Sequence, residues 1–164
     1  MRRLIWFALL TFSLSNAQQH CGYDFTSYIV LHIHEDGKKE NIPGLKAYLV
    51  DSEGNLVINT DNKYSWNSAN AALEFTKNYR IDADRWFFPY AKDTYLLSVT
   101  NTFPADELQV RIEDASATPI YQSTTIPLYS YNMFVLCSSE QQQKAMQFGP
   151  RVNKPVDVVL ERLK

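Results

Sequence analysis

The chain carries none of the short motifs by which catalytic and metal sites are usually recognised. It has no Gly-x-Ser-x-Gly elbow, no phosphate-cradling glycine loop, no nucleotide fingerprint, no Cys-x-x-Cys and no His-Glu-x-x-His. An enzyme site here would have to be assembled from residues distant in sequence. Lysine-rich runs and basic stripes are also missing, which argues against nucleic acid or an anionic membrane as the main partner. Past the N-terminal residues no apolar stretch is long enough for a membrane span of about 20 residues. No stretch rich in Pro, Gly and Ser is long enough for an interdomain linker, and no internal repeat shows. Cysteine is scarce, with only Cys21 and Cys137.

What is present begins with a leader. The first 17 residues, MRRLIWFALLTFSLSNA, place two arginines before an apolar stretch, then Ser15 and Ala17 at the small-residue positions a signal peptidase needs. The predicted division is a signal peptide over 1–17 and one domain over 18–164, with the product periplasmic, cell-surface or extracellular. Cleavage would remove two of the 16 Lys and Arg residues, leaving 14 against 18 acidic residues, a formal charge of −4. Lipid attachment at Cys21 fits poorly, because Gln18, Gln19 and His20 precede it where small and aliphatic residues are expected. In an oxidising compartment Cys21 and Cys137 most simply pair, a long loop closure contributing about 4–5 kcal/mol in the chain-entropy model. Two buried free thiols are the other reading.

The rest of the chain alternates apolar and polar residues in short runs between turn residues, the pattern of β-strands. Ile29, Leu31 and Ile33 share one face of the first long run. Residues 45–50 and the apolar stretch after Asn55 flank Asp51-Ser52-Glu53-Gly54-Asn55, a hairpin or short-loop signal. Further strands are predicted at 63–66, 95–100, 108–113, 120–126, 133–137 and 156–163. In the last, Val156, Val158 and Leu160 alternate against Asp157 and Glu161. Residues 68–78, with alanines at 69, 71 and 72 and Ser68 as cap, suit either a short helix or an irregular excursion. The expected fold is all-β: a single antiparallel β-sandwich of about eight or nine strands with at most one short helix.

One segment resembles a known family. Ile42-Pro43-Gly44, the apolar run 45–50, the Asp51–Gly54 turn, the Thr60-Asp61 step and the aromatic finish at Tyr64 to Trp66 are similar to transthyretin-like and carboxypeptidase-regulatory-like (Ig-like) sandwich domains. The likeness covers about residues 28–66, and lacks the glycine usual after the Thr-Asp step. With its leader and early cysteine, the whole chain resembles exported bacterial proteins of the Bacteroidetes type. The resemblance implies a non-catalytic accessory or binding module and carries over no functional residues.

Two features remain as candidate sites. In Tyr28-Ile29-Val30-Leu31-His32-Ile33-His34, period two puts His32 and His34 on the face opposite the isoleucines, about 7 Å apart at Cα. Such a pair is either a solvated strand face or part of a Zn²⁺ or Cu²⁺ site, which needs further ligands. Glu35, Asp36, His20 or a neighbouring strand would have to supply them, while Asp36-Gly37 itself reads as a turn. The Asp82 and Asp84 pair does not continue the alternating oxygen pattern of a calcium loop. The second feature is the aromatic surplus, 13% of residues, with Trp86, Phe87, Phe88 and Tyr90 close together and Trp66, Tyr64, Tyr129 and Tyr131 elsewhere. These side chains either fill and cap the core or contact a partner, with Trp86, Tyr90 and Trp66 the first choices for an exposed surface.

The expected function is therefore an exported, non-catalytic module without a cofactor that binds a protein or carbohydrate. The alternatives are a periplasmic metal-binding protein using His32 and His34, and an enzyme whose site local motifs do not show.

Overall fold

The computed structural model describes residues 26–67, 69–78, 93–100, 102–135 and 154–164. They form two sheets, and no helix among them exceeds a 3-10 turn. The strands are β1 (Thr26–His34), β2 (Leu45–Val50), β3 (Thr76–Asn78), β4 (Thr94–Thr100), β5 (Gln109–Asp114), β6 (Thr124–Pro127), β7 (Met133–Val135) and β8 (Val156–Val159). One sheet runs β3-β4-β1-β7, with β8 also on β1; the other runs β2-β5-β6. This is the expected all-β sandwich.

Strand parity builds the core. Ile29, Leu31 and Ile33 of β1, Tyr95, Leu97 and Val99 of β4, and Val156 and Val158 of β8 point inward from the first sheet. Leu45, Ala47 and Leu49 of β2 with Val110 and Ile112 of β5 meet them from the second. Each alternates with residues on the outer face, so two half-apolar sheets bury one shared layer. The predicted turn at residues 51–55 forms as expected. Asp51 accepts the N–H groups of Glu53 and Asn55 at 2.9 Å each, and Gly54 takes the left-handed φ of 88° that a side chain would resist.

One open alternative is settled and two local expectations are corrected. No short helix forms at 69–78: Ala72 and Glu74 instead make bridges to Ile58 and Tyr48, and the chain runs on into β3 against β4. Backbone bonding to the neighbouring strand, Leu49 N–H to Leu73 and Phe75 N–H to Ala47, overrides alanine's helix preference, and the segment passes from one sheet to the other. Residues 63–66 form no strand. Asp61 and Asn62 adopt left-handed φ of 52° and 58°, and the buried Asn59 carboxamide oxygen accepts the N–H groups of Tyr64 and Ser65, curling the loop around that side chain. Finally, residues 120–123 lie outside β6, where Tyr121 bridges Arg162 of the C-terminal segment.

One pairing departs from the antiparallel rule. The edge of β1 away from β4 is shared by two strands: β7 lies antiparallel opposite Ser27–Ile29, and β8 lies parallel opposite Leu31–His34. The register sets Leu31 against Val156, His32 against Asp157, Ile33 against Val158 and His34 against Val159.

Candidate metal centre

The outer face of β1 presents Tyr28, Val30, His32 and His34 in order, as period two requires. It is not the uniformly solvated face that alternation alone suggests. Tyr28 and Val30 are buried with Phe134 of β7 and packed by Leu96 of β4. The histidine half is partly covered, the side chains of His32 and His34 being 29% and 12% exposed.

The backbone explains why the rings stand where they do. Past Leu31, β4 ends its pairing with β1, and the loop over 35–42 takes that edge: Ile42 N–H donates to Ile33 at 2.8 Å, and Ile33 N–H donates to the Asn41 side chain at 2.6 Å. The loop reverses at Glu35–Lys38, where Lys38 N–H donates to Glu35 at 3.0 Å and Gly37 takes φ of 70°. This return brings two carbonyls onto the rings. His32 Nε2 lies 2.9 Å from the Lys39 carbonyl oxygen, and His34 Nδ1 lies 2.8 Å from that of Glu35.

Across the sheet, β8 supplies the third group. Asp157 Oδ1 is 2.8 Å from His32 Nδ1 and 3.1 Å from His34 Nε2, and the three donor atoms lie within 4.8 Å of one another. β8 is fixed at both ends. Lys154 N–H donates to the Tyr131 carbonyl, Asn132 donates to the Lys154 carbonyl, and Leu160 N–H donates to the His34 carbonyl.

An ionic clasp closes the far end. The Glu35 carboxylate accepts bonds from Arg162 at 2.7 Å, Lys38 at 2.8 Å and the Tyr121 hydroxyl at 2.6 Å. Arg162 first, then Lys38 and Tyr121, hold its carboxyl down at about 2, and Glu35 in turn raises the Tyr121 hydroxyl and the Arg162 guanidinium. Glu35 is therefore a fastening for the C-terminal segment and is not a ligand, although its own carbonyl orients His34.

The hydrogen-bond chemistry of the cluster is unusual. A carbonyl oxygen only accepts, so the ring nitrogen facing it must carry the hydrogen: Nε2–H in His32 and Nδ1–H in His34. Neutral rings so fixed turn two lone pairs toward Asp157 Oδ1, itself an acceptor when ionised. Three electron-rich atoms thus converge on one point, which an added proton or a cation must occupy. Imidazoles that ligate a metal characteristically donate the other N–H to a carbonyl or carboxylate, which sets tautomer and orientation. Around a tetrahedral ion at about 2.0–2.2 Å, donor atoms stand about 3.3 Å apart, so the two Asp157 pairs need to open by a few tenths of an ångström and the two ring nitrogens, within 4.8 Å of each other, need to draw together.

The structure thus joins His32 and His34, picked out from sequence, to Asp157, which alternation placed on an outward face but not beside them. Asp36 lies exposed in the turn. Trp66 is 62% exposed, Tyr64 packs edge-on against Phe103 at the core, and Tyr129 and Tyr131, both exposed residues, stack with ring centroids 5.1 Å apart. Trp86, Tyr90, Asp82, Asp84, His20, Cys21 and Cys137 lie outside the described residues. No family model, curated protein or solved structure matches the chain.

Proposed function

We propose that this chain is an exported, non-catalytic sandwich of the transthyretin-like or Ig-like kind that acts as a binding module, and that its His32–His34–Asp157 centre holds a divalent transition-metal ion. The observation that carries the reading is the pair of ring N–H groups turned onto Lys39 and Glu35, leaving three acceptor atoms focused on one point. Two imidazoles and one carboxylate suit Zn²⁺ or Cu²⁺; Cu²⁺ binds such donors more tightly, and supply in the compartment decides which is carried. The residues that build the centre come from positions 32, 34 and 157, so the ion also ties the first described strand to the last.

Metal analysis of the purified mature protein after micromolar Zn²⁺ or Cu²⁺ supply tests this. One ion per chain is expected, with loss of the ion in His32→Ala and in Asp157→Ala. Metal-free wild type, or equal loading of all three proteins, removes the proposal.

The exposure of Trp66 favours a second reading, a protein or carbohydrate partner at that surface. Binding on a glycan and peptide array that is unchanged by Trp66→Ala would clear that side chain of a direct role.

A further inference from the structure

We infer that the ion in this centre keeps one coordination position open to solvent and takes a monodentate anion of the carboxylate or phosphate class there, an inference that rests on the metal reading above. Sites closed for structural purposes surround the ion with four protein ligands, whereas three protein ligands leave a position for water or an incoming group. Among the described residues the centre has three donors, and all rise from one sheet face: two from β1 and one from the adjoining β8. The rings of His32 and His34 lie side by side, centroids 4.7 Å apart and tilted by 32°, so they occupy the same side of the ion.

Exposure across the three ligands is graded. It rises from 12% at His34 through 29% at His32 to 66% at Asp157, and Asp157 Oδ2 has no protein partner among the described residues. The open side is therefore the carboxylate side, away from the sheet. An incoming ligand would approach from that side, where Asp157 Oδ2 offers an acceptor.

Charge selects the class of incoming ligand. A divalent ion with one carboxylate and two neutral imidazoles retains a net charge of about +1 at the centre. The Glu35 carboxylate, next in sequence to His34, does not cancel it, because the cations Arg162 and Lys38 already pair with it. A monodentate anion both fills the position and neutralises the charge. Lys39, whose backbone carbonyl touches His32, is exposed.

The test uses the mature chain loaded with Cu²⁺, its copper content measured on the same sample, and azide as the probe anion. A saturable azide-to-copper absorption band is expected at one azide per chain, with acetate and phosphate each reversing it in competition. Copper bound in the wild type with a spectrum indifferent to azide means a closed shell and overturns the inference while leaving the metal reading intact. A shift with imidazole but none with azide overturns the anionic class. Failure to bind copper at all refutes the metal reading, and this inference with it.

Discussion

The two halves of β1's outer face share a strand, a periodicity and an edge, yet one is a patch of core and the other a cluster of polar ligands. Tyr28 and Val30 meet β7, which arrives antiparallel and brings Phe134. His32 and His34 meet β8, which arrives parallel and brings Asp157. The difference teaches that a strand's own alternation decides which residues leave the main core, while the register of the neighbouring strand decides what they meet outside it.

The largest expected effect falls on the apolar half. Phe134→Ala removes a buried ring from the outer cluster and should cost about 3–5 kcal/mol in chemical denaturation. Metal affinity of the folded fraction should stay at the wild-type level, because the ring packs with Tyr28, Val30 and Leu96 on the other half of the face. Loss of metal binding in a folded Phe134→Ala protein would erase the distinction between the halves.

The reciprocal change, Asp157→Ala, should lower affinity for Zn²⁺ by about 100-fold or more, since even outer-shell partners of a ligand are worth about 10–100-fold. Its effect on the metal-free protein should stay within about 1 kcal/mol, as for other solvent-facing ion pairs. Isothermal titration and urea unfolding measure the two quantities on one preparation. Like Phe134→Ala, the variant therefore separates folding from binding, with the signs exchanged.

Acid should act on the clasp beside the centre. Glu35 is held near 2 against an ordinary 4.5, so its contribution is present above about pH 4.5 and is lost as pH falls toward 2. Asp114, held near 2 against an ordinary 3.8 by the Ser116 hydroxyl first and then by the N–H groups of Ile120, Ser116 and Tyr121, adds to the slope in the lower part of that window. Glu35→Gln should flatten part of the fall in stability between those pH values and leave the Asp114 part. An unchanged acid limb in denaturant midpoints would mean that the clasp does not hold β8 in place.

The smallest effect is expected at Trp66, whose ring stands mostly in solvent. Trp66→Ala should alter stability by no more than about 0.5 kcal/mol. A larger loss by thermal unfolding would show that the ring packs against the molecule.

Much of this architecture is legible in the sequence, because parity is a local property. Ile29, Leu31 and Ile33, Val156, Val158 and Leu160, and the Asp51–Asn55 turn follow from alternation and turn chemistry alone. The strand over 63–66 misled, and the two readings of 68–78 stayed open, for one reason: each segment was set by partners elsewhere, Ile58 for Ala72, Tyr48 of β2 for Glu74, and Asn59 for Tyr64 and Ser65. The candidate site was half legible. His32 and His34 could be placed on one face, and Asp157 on an outward face, but no local pattern says that positions 32 and 157 stand opposite one another in a parallel pair. The Lys39 and Glu35 carbonyls that fix the rings belong to a loop whose path depends on where β4 stops.

The most direct measurement is an anomalous-difference map of crystals of the mature protein grown with Zn²⁺, collected at the zinc edge. The account predicts one strong peak about 2 Å from His32 Nδ1, His34 Nε2 and Asp157 Oδ1, with His32 Nε2 and His34 Nδ1 still donating to the carbonyls of Lys39 and Glu35. The same three side chains hydrogen-bonded as described, with zinc in the crystal and no peak between them, would contradict it.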